Sequence, residues 1–204
     1  DINNQLTVLS GYLSLLEQDD GTVRSKDIVG ILLDAAKNIH SMITFTSEYK
    51  DLGKHLPLWT NLYEAFQSVR SSVDAEGIQI EAESACQEIE LFCDPMLMKV
   101  FHLLIENSLI QENAVSEITL RWRPENGGAI IVYGDNGTGI PETVKSTLFL
   151  PGKMKKNAYG LFLVHEILAI FDFTITETGT PGKGVRFEIG VPSGSFRIVK
   201  KKLL

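Results

Sequence analysis

The first 50 residues carry apolar side chains at alternating intervals of three and four residues, a spacing typical of helices in a bundle seam. One series runs from Ile2 to Leu16, and a second runs from Ile28 to Tyr49. Asp19-Asp20-Gly21 separates the two, and Gly53 ends the second. The spacing therefore predicts a helical hairpin. Because one hairpin cannot bury its own apolar stripe, we expect two chains to form a four-helix bundle as a homodimer.

Beyond Gly53 the apolar residues form short segments of strand and helix type. Strands are grouped with helices and show no βαβ alternation, which predicts an α+β sandwich with helices on one face of the sheet. We expect residues 1–53 to form the dimerisation hairpin and residues 54–204 to form a second domain. The predicted elements of that domain are a helix over 59–73, strands over 78–80 and 89–92, a helix from Asp94-Pro95 with Leu97, Phe101, Leu104 and Ser108 buried, a hairpin of 118–122 with 129–133 through a turn over 124–128, a helix over 160–171, and strands over 174–177 and 185–191.

Composition excludes several classes of protein. Lys and Arg number 19 against 26 Asp and Glu, so the formal net charge is −7 and a nucleic-acid partner is not expected. Cys86 and Cys93 lack the spacing of a zinc site or a disulfide framework and are expected to be apolar core residues in a reducing compartment. No apolar run approaches the roughly 20 residues that span a bilayer. We expect a cytoplasmic location and no membrane contact in this part of the chain.

The segment Asp135-Asn136-Gly137-Thr138-Gly139-Ile140-Pro141 directly follows a predicted strand. Two glycines spaced by one residue allow the backbone to approach a ligand closely, and a carboxylate at a strand end can accept a hydrogen bond from an exocyclic amine. The alternative is a glycine-rich turn with a capping aspartate.

This segment resembles the ATP-binding domain shared by histidine kinases, gyrase-type topoisomerases and heat-shock chaperone ATPases, and the resemblance covers residues 59–192. It implies that Asp135 binds the adenine amino group and that Gly137 and Gly139 shape the pocket. Asn107, within Ile105-Glu106-Asn107-Ser108, is similar to the family's magnesium-binding asparagine, and an uncharged oxygen donor suits a metal that carries phosphate oxygens. For a lone asparagine, the alternative is a polar residue beside a core face.

Residues 149–161 resemble the mobile lid that covers ATP in this family, and 161–168 resemble archaeal members. Of three alternating glycines in the family pattern only Gly160 is present, since Lys156 and Ala158 stand at the other two positions. Lys153 and Lys156 are expected to contact the triphosphate, and Gly160 opens a helix whose N-terminus favours anions. The alternative for the lysines is a solvated loop. The segment 182–187 resembles the family's last glycine motif.

Leu103 distinguishes between branches of the family. It stands where gyrase-type relatives carry the glutamate that activates water, so the resemblance favours phosphoryl transfer to a protein over hydrolysis. Leu103 and Ile110 also replace an asparagine and a basic residue that are usual in histidine kinases. We therefore expect weaker phosphate or metal contacts from this helix.

Asp1-Ile2-Asn3-Asn4-Gln5-Leu6 resembles the segment that follows the phospho-accepting histidine of histidine kinases. The resemblance implies that Asp1 orients or deprotonates a histidine just before it, and that Asn4 positions water for dephosphorylating a partner receiver domain. The alternative is a polar helix start capped by Asp1. The four histidines of the chain, at 40, 55, 102 and 165, are expected to be structural or surface residues.

Taken together, the motifs resemble the core of a sensor histidine kinase. The resemblance implies binding of ATP and Mg2+, transfer of the γ-phosphoryl group to a histidine upstream of Asp1, and relay to an aspartate of a response-regulator receiver domain. Two alternatives remain at this point: a gyrase-like or chaperone ATPase, and a degenerate kinase that acts as a dimeric scaffold or receiver phosphatase. Measured nucleotide binding separates the last from a kinase.

Overall fold

The computed structural model describes residues 2–17, 25–110, 113–151 and 159–200. The chain divides into two compact units, Asp1–Lys50 and Asp51–Leu204. The first unit contains helices α1 (Ile2–Glu17) and α2 (Ser25–Asp51). Both helices lie where the three-four spacing predicts them.

Two different apolar stripes run along α2. Ile28 and Ala35, which belong to the predicted seam, are buried. Val29, Leu33 and Ile43 form a second stripe, offset by one residue, and are 46%, 55% and 56% exposed. Helical spacing of 100° per residue places these three within about 40° of one line along the helix.

The segment Ile28–Asp51 contains an 18-residue window with a mean hydropathy of 1.2, which is long and apolar enough to meet a composition test for a membrane span. The helices of a soluble bundle can meet the same test. A search for continuous apolar runs misses this segment, because its apolar residues are interrupted by polar ones and are spread around the helix.

The second unit contains an α/β sandwich and a smaller sheet. Its helices are α3 (Leu62–Ser72), α4 (Leu97–Ser108), the short α5 (Glu142–Lys145) and α6 (Gly160–Ala169), with a 3₁₀ turn at Ser84–Glu88. Its strands are β1 (Leu58–Asn61), β2 (Gln79–Ala82), β3 (Ile89–Cys93), β4 (Glu117–Glu125), β5 (Gly128–Asp135), β6 (Thr174–Glu177), β7 (Arg186–Val191) and β8 (Phe196–Ile198).

The larger sheet has the strand order β2-β4-β5-β7-β6, in which only the β2–β4 pair is parallel. One face is apolar, because alternate residues of its central strands are buried. Helices α3 and α6 contact the edge strands β2 and β6, and both pack against α4. The α+β architecture with helices on one face is therefore present. The buried alternate residues are Ile118 and Leu120 of β4, Ala129, Ile131 and Tyr133 of β5, and Phe187, Ile189 and Val191 of β7.

The predicted helix over 59–73 is wrong at its start. Residues 58–61 form β1, which pairs with β3 in a three-stranded sheet of order β1-β3-β8. The helix begins at Leu62 because the Asn61 side chain accepts a hydrogen bond from the Glu64 backbone N–H at 3.0 Å, which is an N-cap. Strand β8 was not expected from the sequence.

The predicted β4–β5 hairpin is confirmed. Its strands extend further than expected, through Pro124 and Glu125, and the turn contains only Asn126 and Gly127. The predicted buried stripe of α4 is also confirmed, although the helix begins at Leu97 rather than at Asp94. The long hairpin places Asp135 at the end of β5, opposite Ile118.

Candidate nucleotide site

Four residues of α4 and β5 form a hydrogen-bonded chain at the centre of the site. Leu104 and Ser108 are four apart on one face of the helix, and Tyr133 and Asp135 are two apart on one face of the strand. The Ser108 hydroxyl donates to Asp135 Oδ2 at 2.6 Å. The Tyr133 hydroxyl lies 2.8 Å from Ser108 Oγ and donates to the Leu104 carbonyl at 3.1 Å. These contacts hold Asp135 against the helix.

The second oxygen of Asp135 is held by backbone groups. Asp135 Oδ1 accepts from the N–H groups of Gly137 and Val185, each at 3.0 Å. Gly137 belongs to the loop after β5, and Val185 precedes β7, so one carboxylate joins two loops. With three donors bound, Oδ2 keeps capacity for one more hydrogen bond from a ligand.

Gly137 is required by close packing. A Cβ at this position would lie 2.5 Å from the Asn113 carbonyl oxygen and 2.7 Å from Val115 Cγ2. Gly139 lies in the same loop with a φ of 71°. The motif therefore brings the loop after β5 against the segment that precedes β4.

Asn107 is buried near the end of α4, next to Ser108. Asn113 connects it to the motif loop, since Asn113 Nδ2 donates to the Asn107 carbonyl at 2.7 Å and the Asn113 carbonyl accepts from the Thr138 N–H at 3.0 Å. The structure thus gathers Asn107, Asp135 and the two motif glycines. Asn113 was missed by sequence reasoning, because a single polar residue between a helix and a strand carries no distinguishing pattern.

The donor set fits Mg2+ bound through phosphate better than a site made of protein ligands alone. Within the residues that the structure describes, no group of three His, Cys, Asp or Glu side chains could hold a metal ion. Mg2+ commonly takes one or two protein oxygens together with substrate phosphates. The Asn107 amide oxygen is a suitable donor of this kind.

Lys145 and Glu177 support the loop 179–184, which faces the motif loop. Lys145 Nζ donates to the Gly179 carbonyl at 2.6 Å and forms an ion pair with Glu177 at 3.1 Å. Glu177 Oε1 accepts from the Gly179 N–H at 2.9 Å. Hydrogen bonds to Glu142 and Glu177 raise the pKa of Lys145. Neither residue stands in a motif, so sequence reasoning did not identify this support.

Several predicted site residues lie outside this cluster. Asp1, Lys153 and Lys156 lie outside the described residues. Gly160 is buried at the first position of α6, which packs against α4. Asn4 is exposed on α1.

The aromatic ring of Phe149 packs at the start of the lid-like segment 149–161. Its centroid lies 5.9 Å from the His165 ring of α6 and 6.2 Å from the Phe187 ring of β7. His165 is therefore a partly packed surface residue, as expected. On α4, Leu103 is buried and Glu106 is exposed, which agrees with leaving Glu106 out of the site.

A groove of about 580 Å³ lies on the other face of the sheet. Its lining includes Thr119 and Arg121 of β4, which alternate with the buried Ile118 and Leu120 and so face away from the helices. The groove is open and its walls carry both signs of charge. Its lining also includes Asp135 and Val185, so one end of the groove borders the cluster around Asp135.

Comparison with known proteins identifies a family and its relatives. Residues 94–195 match the family described as histidine kinase-, DNA gyrase B-, and HSP90-like ATPase. The alginate biosynthesis sensor protein KinB of Pseudomonas aeruginosa is 28% identical over 137 residues. That alignment includes 64% of this chain and 23% of the relative, so the chain spans about a quarter of the length of that protein.

Two solved histidine kinase structures share the fold across almost the whole chain. Full-length ShkA in complex with AMPPNP has a TM-score of 0.66 and 16% identity, with 97% of this chain and 45% of that chain covered. Histidine kinase ThkA in complex with the response regulator protein TrrA has a TM-score of 0.67 and 18% identity, with coverage of 95% and 59%. At these identities the likeness is one of fold.

Proposed function

Because the chain belongs to the histidine kinase-, DNA gyrase B- and HSP90-like ATPase family, we propose that it is the dimerising and catalytic core of a sensor histidine kinase. In this proposal the core binds Mg-ATP and transfers the γ-phosphoryl group to a histidine upstream of Asp1. The phosphoryl group then passes to an aspartate of a response-regulator receiver domain. The bound nucleotide in ShkA and the response regulator bound to ThkA support the ligand and the partner.

The Asp135 carboxylate is the observation that carries the proposal. Three donors hold it and leave one acceptor position on Oδ2. An adenine amino group can donate to that position, and an ionised carboxylate makes a stronger acceptor than a neutral oxygen. In this proposal Asn107, one residue from Ser108, provides a metal-binding oxygen. The lid residues Lys153 and Lys156 and the helix start at Gly160 complete the proposed phosphate contacts.

Catalysis in the proposed kinase depends on positioning. Mg2+, when bound with ATP, neutralises charge on the phosphate oxygens. The protein holds the base through Asp135, orients the metal-bound phosphates through Asn107, and brings the acceptor histidine into line. Leu103 supplies no water-activating carboxylate at its position on α4, which favours a protein acceptor over water.

The helical unit supplies the acceptor and the dimer in this proposal. Leu33 and Ile43 are more than half exposed in the single chain, so a second copy can bury the stripe to which they belong. Asp1 would act on the histidine, and the exposed amide of Asn4 would hold a water molecule against the receiver phosphoryl group. These roles extend the family resemblance to the first turn of α1.

Binding of ADP with Mg2+, measured by calorimetry, tests the proposal. Asp135→Ala is expected to weaken binding by roughly 10- to 100-fold, because a hydrogen bond to a charged group contributes about 1.5–3 kcal/mol. Glu106→Ala, which removes an exposed carboxylate from α4 beside the site, is the control and should bind like the wild type. Equal affinity in wild type and Asp135→Ala would refute the adenine assignment. Lack of binding by the wild type would favour the scaffold alternative.

A further inference from the structure

The hydrogen-bonded chain at Asp135 has a defined direction. A carboxylate has no proton to donate, so Ser108 is the donor in the 2.6 Å contact with Asp135. Ser108 has only one hydroxyl proton, and it is used there. The 2.8 Å contact between Ser108 and Tyr133 is therefore donated by Tyr133, whose proton is shared with the Leu104 carbonyl.

The phenol is well suited to the role of terminal donor. Tyr133 is fully buried, and burial raises its pKa well above the ordinary value. Its proton therefore stays in place through the physiological range. Because Ser108 is also buried, no bulk water competes for these contacts.

Counting the acceptor positions shows what Asp135 can still bind. Two carboxylate oxygens offer about four positions. Gly137, Val185 and Ser108 occupy three of them, which leaves one position on Oδ2. Only a group that brings a proton can use that position. An amino group at carbon 6 of a purine does so, whereas a carbonyl oxygen there would face the carboxylate without a hydrogen between them.

We propose that Ser108 and Tyr133 are positioning residues that lock Asp135 as an acceptor with one open position and so select a 6-amino purine. This inference rests on the proposed function, since it concerns the base recognised at the same site. Ser108 acts through Asp135, and Tyr133 acts through Ser108. Neither residue touches the nucleotide.

The experiment compares two ligands in each variant. ADP carries the 6-amino group, and purine riboside 5′-diphosphate carries hydrogen in its place. Calorimetry with Mg2+ gives the affinity ratio of the two for the wild type, Ser108→Ala, Ser108→Cys and Tyr133→Phe. The control is Ser72→Ala, which removes a hydroxyl that bonds only locally to the Val69 carbonyl at the end of α3. Thermal unfolding of each variant identifies those that fold.

The wild type and Ser72→Ala are expected to bind ADP more tightly than purine riboside 5′-diphosphate. Ser108→Ala should lower this preference about tenfold, because it weakens the binding of ADP alone. Tyr133→Phe should change the ratio in the same direction by a smaller factor. If Ser108 and Tyr133 only stabilise the fold, their loss weakens binding of both nucleotides equally and leaves the affinity ratio unchanged. That result would overturn the inference. Should Ser108→Ala not fold, the ratio in Ser108→Cys decides, because its thiol is a poor donor of similar shape. Unchanged ratios with ADP binding still dependent on Asp135 reject only this inference, whereas no ADP binding by the wild type rejects the proposed function.

Discussion

Gly184 shows how closely two loops of the site approach each other. Its φ is 90°, and a Cβ built there would collide with the Asp135 carbonyl oxygen. Gly182, two residues earlier in the same loop, has a φ of 80° but open space around its Cβ position. Substituting Gly182 therefore measures the cost of backbone strain alone, whereas substituting Gly184 adds the cost of a steric clash.

Gly184→Ala is expected to lower the free energy of unfolding by about 3 kcal/mol or more, since it adds a clash to the strain of a left-handed residue, and to weaken ADP by displacing Asp135. Gly182→Ala should lower it by only about 1 kcal/mol, which is the conformational cost alone. Urea unfolding and ADP calorimetry measure both effects. If the two variants lose the same free energy of unfolding, the clash at position 184 adds no cost, because the two loops can move apart.

Individual site residues were predictable from the sequence where a motif marks them. Asp135 and Gly137 stand in a short glycine-containing segment after a strand, and Asn107 stands near the end of a strongly amphipathic helix. Lys145 and Asn113 were not predictable, because each acts through a contact with a residue in another segment. Such contacts depend on loop conformations that neither spacing nor composition encodes.

At the scale of elements, periodicity predicted the long helices and the β4–β5 hairpin. Their apolar residues repeat over enough turns or alternations to identify one buried face. Strand β8 is only three residues long, and its partner β3 lies about 100 residues earlier in the chain. The start of α3 was predicted too early because Leu58 and Trp59 continue the apolar spacing of the helix. The N-cap at Asn61 sets the actual start.

Asn61 is therefore a point at which one side chain separates two elements. Its oxygen caps α3, and its Nδ2 donates to the Gln87 carbonyl in the 3₁₀ turn at 2.9 Å. Asn61→Ala is expected to lower the free energy of unfolding by about 1–2 kcal/mol, measured by urea denaturation. Asn61→Ser keeps a capping oxygen and lacks the amide that bonds to the Gln87 carbonyl, so it should lose less. An alanine variant as stable as the wild type would mean that the cap does not determine the start of α3.

At the scale of the whole molecule, the sequence predicted a helical hairpin followed by an α+β domain, and the structure contains two helices and a sandwich in that order. It did not predict which side of α2 stays exposed. The predicted seam contains the buried Ile28 and Ala35, and the exposed stripe is shifted by one residue. Two apolar stripes on one helix cannot be ranked by spacing alone, because burial of either depends on the neighbouring helix.

The exposed stripe provides the test of the proposed homodimer. A charged side chain in a bundle interface would be buried without a partner, so Leu33→Glu with Ile43→Glu should weaken dimerisation at least 100-fold. Ile31→Glu is the matched control, because Ile31 is 37% exposed and lies on the opposite side of α2 from the stripe. Sedimentation equilibrium measures the association. ADP affinity should stay unchanged in both variants, since the proposed site lies wholly within Asp51–Leu204. A double variant that remains dimeric, or a control that dissociates equally, would place the dimer contact on another face of the helices.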